Sequence, residues 1–182
     1  MDELIDILDE KGSFTGETEL KSHAHRMGLF HATVHIWFYT VDGQILVQQR
    51  AKNKHTYPLL WDVSVAGHSG AGEELEVSAL REIKEEIGLN ISKTQLEKIG
   101  VFKSIQKHSK ELLDCEFHHT FVCELQVSLQ KLQKQESEVE ALRLIPLAQF
   151  LSEVSENKSI KNYVPHDMSY YQTIYKAVME RL

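Results

Sequence analysis

A chain of 182 residues with 42% hydrophobic side chains can bury one substantial core and gives no sign of a second, so residues 1–182 are read as a single domain. Its net charge of −7 argues against a broad nucleic-acid surface, although a bound cation can reverse the local sign for a small phosphorylated partner. No apolar run approaches bilayer length, and the acidic start MDELIDILDE lacks the features of a signal peptide, so no membrane partner and a cytoplasmic location are expected.

In chain order, residues 4–8 alternate as a strand and end in the turn Glu10-Lys11-Gly12. Residues 13–30 are polar and carry His23 and His25. Residues 32–41 (ATVHIWFYTV) and 44–49 flank Asp42-Gly43, the clearest hairpin signal in the chain. Residues 50–58 (RAKNKHTYP) form a basic segment. It reads as an exposed loop, or as one that touches phosphate through Arg50 and Lys54. Residues 61–66 are a short strand and 75–87 a helix. Residues 96–105 and 116–125 are two further strands about a polar loop at 106–111. Residues 126–140 connect along the surface to a last strand at 141–145. Pro146 then opens a short helix through Phe150 and Leu151. Residues 168–182 are a terminal helix with Tyr171, Ile174, Tyr175 and Val178 on one face, as core and rim packing. Cys115 and Cys123 share one strand and one face but sit too far apart to bridge, which fits free thiols in a reducing compartment. Trp37, Tyr57 and Trp61 could each stack on a base, core burial being the simpler reading of the two tryptophans.

The stretch 67–89 organises the rest. Within its helix, Glu82, Glu85 and Glu86 fall at i, i+3 and i+4 and rise from one patch of surface. Clustered carboxylates repel unless a cation sits among them, and hard oxygen ligands suit Mg²⁺ or Mn²⁺. Taken alone, the glutamates read equally as a solvated acidic face. The full spacing is more specific: Gly67, five residues, Glu73, seven residues, Arg81-Glu82, an aliphatic, one residue, Glu85-Glu86, one residue, Gly88, an aliphatic. Every defined position of the Nudix box is filled, and the chain resembles the Nudix hydrolases. The resemblance implies an α/β fold, an α/β/α sandwich around a central mixed β-sheet, and metal-dependent cleavage of a diphosphate linkage by water. Glu82, Glu85 and Glu86 match the family's metal ligands. Gly67 and Gly88 match its loop glycines, and Arg81 with Glu73 matches the pair tying loop to helix.

A second resemblance, carried by WDVSVAGH and the spaced histidines, is to the isopentenyl-diphosphate isomerase branch of the superfamily. It implies a second metal site at His25, His31, His68, Asp114 and Glu116, with Arg50 and Lys54 on the diphosphate. The alternative is that these are ordinary surface histidines. The isomerases carry a catalytic cysteine just before the glycine-histidine pair, where this chain has Ala66, and they degrade box positions kept here. Alanine transfers no proton. The expectation is therefore a hydrolase on an isomerase-like frame, with Glu85 or Glu116 as general base and a small diphosphate compound as partner. An isomerase and a non-catalytic binding module are the competitors. Nucleoside diphosphate derivatives, nucleotide sugars, dinucleoside polyphosphates and short prenyl diphosphates all fit the box, with selectivity expected from loops at 13–30, 50–60 and 106–114.

Overall fold

The alternation of residues 30–39 decides the architecture. In the computed structural model, which describes residues 2–156 and 162–182, the chain runs β1 (Leu4–Leu8), β2 (Phe14–Leu20), α1 (Lys21–Met27), β3 (Phe30–Tyr39), β4 (Gln44–Arg50), β5 (Trp61–Asp62) and β6 (Val65–His68). It continues through α2 (Leu75–Ile87), β7 (Glu97–Lys107), β8 (Leu113–Glu124), β9 (Val139–Pro146), α3 (Leu147–Ser155) and α4 (Met168–Met179). Successive strand side chains point to opposite faces. Val34, Ile36 and Phe38 accordingly meet Ala79, Ile83 and Ile87 of α2, while Trp37 and Tyr39 meet Phe150 of α3 and Tyr170, Tyr171 and Ile174 of α4. Helices therefore cover both faces of the sheet, and the result is an α/β/α sandwich. Ile83 is fully buried, and truncating such a side chain to alanine costs about 2–5 kcal/mol.

β3 is also the hub of the pairing. It runs parallel to β8 from His31↔Glu116 to Tyr39↔Glu124, and antiparallel to β6 from Thr33↔His68 to Ile36↔Val65. A mixed sheet is the outcome. The turn at Asp42-Gly43 closes as expected, but β3 and β4 share only the pair Tyr39↔Ile45 before they diverge, because β4 pairs with β9 and β5.

Three readings change. The stretch 13–30 is not an open loop. It holds β2, which is exposed along nearly its whole length, and the seven-residue α1, which ends at Gly28 in the left-handed conformation, φ 66. The strand expected at 61–66 is split into β5 and β6. Between them the Ser64 hydroxyl donates to the Leu46 carbonyl and accepts from Phe38 N–H, bridging sheet edges that a regular ladder would join. Finally, the loop expected at 106–111 shrinks, since β7 and β8 remain paired out to Lys107↔Leu113. Cys115 and Cys123 are buried and unbridged. Trp37 is fully buried, whereas Trp61 is partly covered by the Arg143 guanidinium 4.1 Å above its ring. No helix among the described residues is long and apolar enough to cross a membrane.

Candidate active site

Helix α2 presents its carboxylates to the loop that enters it. Gly67 faces Glu82 so closely that a Cβ there would lie 2.0 Å from the Glu82 carboxyl carbon. Only glycine leaves room for that side chain. At the other end of α2, Gly88 adopts φ 71 and caps the helix by donating to the Lys84 carbonyl, a conformation that side-chain-bearing residues rarely adopt.

Arg81 ties loop to helix. It donates to both Glu73 carboxylate oxygens at 3.2 and 3.1 Å, to the His68 carbonyl at 2.9 Å and to Glu82 at 2.6 Å. Glu73 also accepts from Gly70 N–H and the Ser78 hydroxyl. Burial would raise its pKa, but these donors outweigh burial and hold the carboxyl below its usual range.

The three helix glutamates differ in environment. Glu86 is buried and accepts from Gln48 Nε2 at 3.1 Å and Ala66 N–H at 3.2 Å; burial, with the neighbouring Glu82, pushes its pKa up to about 8. Burial also lifts Glu82, to about 7, against the pull of Arg81. Glu85 is half exposed at the rim, 3.6 Å from Arg81. Two carboxylates whose pKa values burial raises, next to the buried and unpartnered Gln48 Oε1, form an oxygen-rich setting that a hard divalent cation fits.

The second candidate set comes from α1, β3, β6 and β8. His25, His31, His68 and Glu116 offer ligand atoms that all lie within 4.8 Å of one another. Sheet register explains much of this: His31 pairs with Glu116, and His68 lies one strand over, opposite Thr33. His31 Nδ1 lies 2.9 Å from the Leu29 carbonyl, which can only accept, so that nitrogen carries the proton. Its Nε2 is buried with no hydrogen-bond partner, 3.6 Å from Glu116 Oε1. His68 Nε2 stands 3.6 Å from the same oxygen and 3.2 Å from His25 Nε2. A cation held among these ring nitrogens and the carboxylate would give each of them a ligand bond. A backbone carbonyl on the remote imidazole nitrogen is also the usual support for a metal-binding histidine. Burial would raise Glu116, but the facing imidazoles hold it well below the carboxylate range. Asp114 stands outside this group: it is paired with His108 at 2.8 Å and lies 3.9 Å from His25.

Glu82, Glu85 and Glu86 line one cavity of about 540 Å³ together with His68 and Glu116 of the second set, and Arg50 and Lys54 border it as well. Arg50 is partly committed, donating to Asp62 at 3.1 Å and twice to Thr56, while Lys54 is paired with Glu138. Asp62 is buried against its charge, yet His166 and Arg50 hold its pKa well below the usual range. Asp62, Thr33, His35, His118 and His166 line the cavity as well, and the sequence reading passed them over. A period-two count from His31 through Thr33 to His35, and from Glu116 to His118, is the signal that would have placed Thr33, His35 and His118 on the same face.

The NUDIX domain model matches residues 29–166. The chain belongs to the Nudix family. Nudix hydrolase 3 of Arabidopsis thaliana is 31% identical over 185 residues, covering 99% of this chain but only 24% of that protein. An uncharacterized Nudix hydrolase of Clostridium acetobutylicum is 29% identical over 205 residues, 98% of each chain. An isopentenyl-diphosphate Delta-isomerase of Serratia proteamaculans is 30% identical over 122 residues, 67% of this chain and 66% of that one. Among solved structures, a Deinococcus radiodurans protein superposes with a TM-score of 0.73 at 18% identity, covering 93% and 98% of the two chains. The NUDIX domain of Shewanella oneidensis NrtR, solved with ADP ribose, gives 0.56 at 19% identity over 83% and 88%. The relatives thus include both Nudix hydrolases and isopentenyl-diphosphate isomerases, and the solved structures share the fold.

Proposed function

We propose that this Nudix chain, acting as one domain over residues 1–182, hydrolyses the diphosphate linkage of a nucleoside diphosphate derivative or a similar small diphosphate compound, using Mg²⁺ or Mn²⁺. The observation that carries the reading is the single cavity in which the box glutamates face Arg50 and Lys54. The NrtR domain solved with ADP ribose supports a ligand of this class.

Glu82, Glu85 and Glu86 would hold the cation. A divalent ion there supplies charge neutralisation for the diphosphate and acidifies water. The chain's own residues do the rest. Glu85, exposed at the rim and not shielded by burial, takes the proton from the attacking water; Glu116, kept ionised by its imidazoles, is the second candidate. Lys54 and the free donors of Arg50 orient the phosphates, exchanging Glu138 and Thr56 for substrate oxygens. His25, His31, His68 and Glu116 would hold a second ion, for which imidazole favours Mn²⁺ or Zn²⁺, with Asp114 supporting His25 from behind.

The histidine cluster and the isomerase relatives favour a second reading, isopentenyl-diphosphate isomerisation. Against it stand Ala66 at the position where the isomerases carry their cysteine, and the two buried cysteines. Neither cysteine borders the cavity, and burial raises both thiols, Cys123 up to about 12. The test is a panel of diphosphate compounds with Mg²⁺ or Mn²⁺, scored for phosphate or monophosphate release, with isopentenyl diphosphate scored for isomerisation and Glu86→Gln run in parallel. Hydrolysis that disappears in the variant is expected. Isomerisation without hydrolysis would overturn the reading.

A further inference from the structure

Asp62 is a charge kept out of water. It sits in β5, almost fully buried, and belongs neither to the box nor to the imidazole set. Burying an ion pair gains little stability, because desolvating both charges offsets most of their attraction. The carboxylate nevertheless collects three donors: Val63 N–H at 2.8 Å and His166 Nε2 at 3.2 Å on Oδ1, and Arg50 Nη1 at 3.1 Å on Oδ2. An ionised carboxylate only accepts, so His166 Nε2 carries the proton of its bond. The backbone delivers His166 to this point. Trp61 N–H donates to the Asn162 carbonyl and Val164 N–H to the Trp61 carbonyl, so the strap 162–166 starts alongside β5 and ends against Asp62.

Arg50 divides its guanidinium between two kinds of acceptor. Nε donates to the Thr56 carbonyl and Nη2 to the Thr56 hydroxyl, both at 3.1 Å, while Nη1 donates to Asp62. A guanidinium has five N–H groups, so two remain, one on each terminal nitrogen. The two acceptors are not equivalent. Thr56 is half-buried in the loop between β4 and β5 and is neutral. Asp62 is fixed in the sheet opposite Gln48, and its bond to Arg50 is charge-assisted, roughly twice as strong as a neutral one. Both line the cavity together with Arg50 and His166.

We propose that Asp62 is a positioning residue for the phosphate-binding arginine: it stays bonded to Arg50 Nη1 when a diphosphate enters, while the Thr56 hydroxyl gives way. His166, held by its strap, keeps the carboxylate turned toward Arg50. The inference rests on the proposed function only for the arrival of a diphosphate at Arg50. A long side chain loses rotamer freedom when it binds an anion, and an arginine pinned at one nitrogen has lost that freedom in advance. Without Asp62 the ordering would fall on the binding step.

The test uses methylene diphosphonate, a diphosphate analogue that resists cleavage at its bridge, with Mg²⁺ and the whole chain. Asp62→Asn keeps the shape but leaves one oxygen for three donors. It should weaken calorimetric binding by about tenfold and raise KM for any diphosphate that is hydrolysed, with kcat retained, the mark of lost uniform binding. Thr56→Val should leave both unchanged or improved. In an Arg50→Gln background Asp62→Asn should cost nothing more, because it acts through the arginine. That comparison also serves if the single Asp62 variant fails to fold, since removing both charges of a buried pair is tolerated better than removing one. Unchanged binding in Asp62→Asn, equal losses in Asp62→Asn and Thr56→Val, a loss confined to kcat, or a further loss in the double variant would overturn the positioning role and leave hydrolysis standing. Asp62-dependent binding of the analogue with no diphosphate hydrolysed would sink the hydrolytic reading and sustain the positioning role. No binding of the analogue to the unaltered chain would overturn both.

Discussion

The helix carboxylates and the strand-borne imidazoles meet in one cavity but are prepared for a cation in opposite ways. On α2, burial raises the pKa of Glu82 and Glu86 and so disfavours their charged forms, and Arg81 already occupies one of them. On the sheet, Glu116 is held ionised and His31 presents an unpaired nitrogen, so the ligands are assembled in advance. A site can thus be readied by withholding charge until an ion arrives or by fixing donors around an empty point. The first is suited to an ion that comes and goes with a diphosphate, the second to one that stays.

The sharpest break of this contrast is Glu85→Gln. Loss of a general base lowers kcat by about 10²–10⁴, and the half-exposed position should leave the melting temperature unchanged. A larger kcat loss in Glu116→Gln, with Glu85→Gln active, would move the chemistry to the sheet. Next comes Gly67→Ala, whose new methyl would overlap Glu82. We expect kcat/KM to fall about a hundredfold, the scale on which misplacing a group by an ångström acts, read by steady-state hydrolysis.

The third prediction sharpens the sheet side. His68→Ala should weaken Mn²⁺ or Zn²⁺ retention by more than the about 10–100-fold that losing a ligand's supporting partner costs, measured by chelator competition, and should do so without diphosphate present. Equal retention in the variant would mean that the cluster holds no resident ion.

The smallest effect is on stability against pH. In the metal-free fold Glu82 and Glu86 titrate at about 7 and about 8, above the unfolded carboxylate value, so the folded state binds extra protons and stability is lost as pH rises through that range. Burial holds His68 and His118 down to about 4, so the unfolded chain binds the extra protons and stability is lost as pH falls from about 6.5. The metal-free melting temperature should therefore peak near pH 6.5, at about the unperturbed histidine pKa. Mg²⁺ should raise it by more degrees at pH 8.5 than at pH 6, because the ion replaces the protons on the helix. An equal increment at both values, in a thermal melt, would refute the account of the glutamates.

What was legible in the sequence divides along the same line. The helix site is local: its residues lie within 67–89, spaced by helical period, and α2 begins and ends where the apolar pattern says. The sheet site is not. His31 and Glu116 become neighbours only through strand register, which a linear pattern does not reveal without the resemblance that linked them. His35 and His118 were within reach of a period-two count along their strands, whereas His166 and Asp62 escaped altogether, because their contact spans 104 positions and nothing in either neighbourhood marks it. The exposed strand β2 had no buried face to leave a periodic trace. Asp114, grouped with the ligands by resemblance, turns instead to His108.

The parallel pairing of β3 with β8 carries one more consequence, for the order of events during synthesis. Thr33 and His118 touch across 85 positions of chain, and parallel strands admit no short connection. A nascent chain emerging from the ribosome has its hairpin turn and its glutamate helix in hand long before His118 appears. The imidazole cluster is then the last part of the cavity to close, and contacts this distant fold slowly.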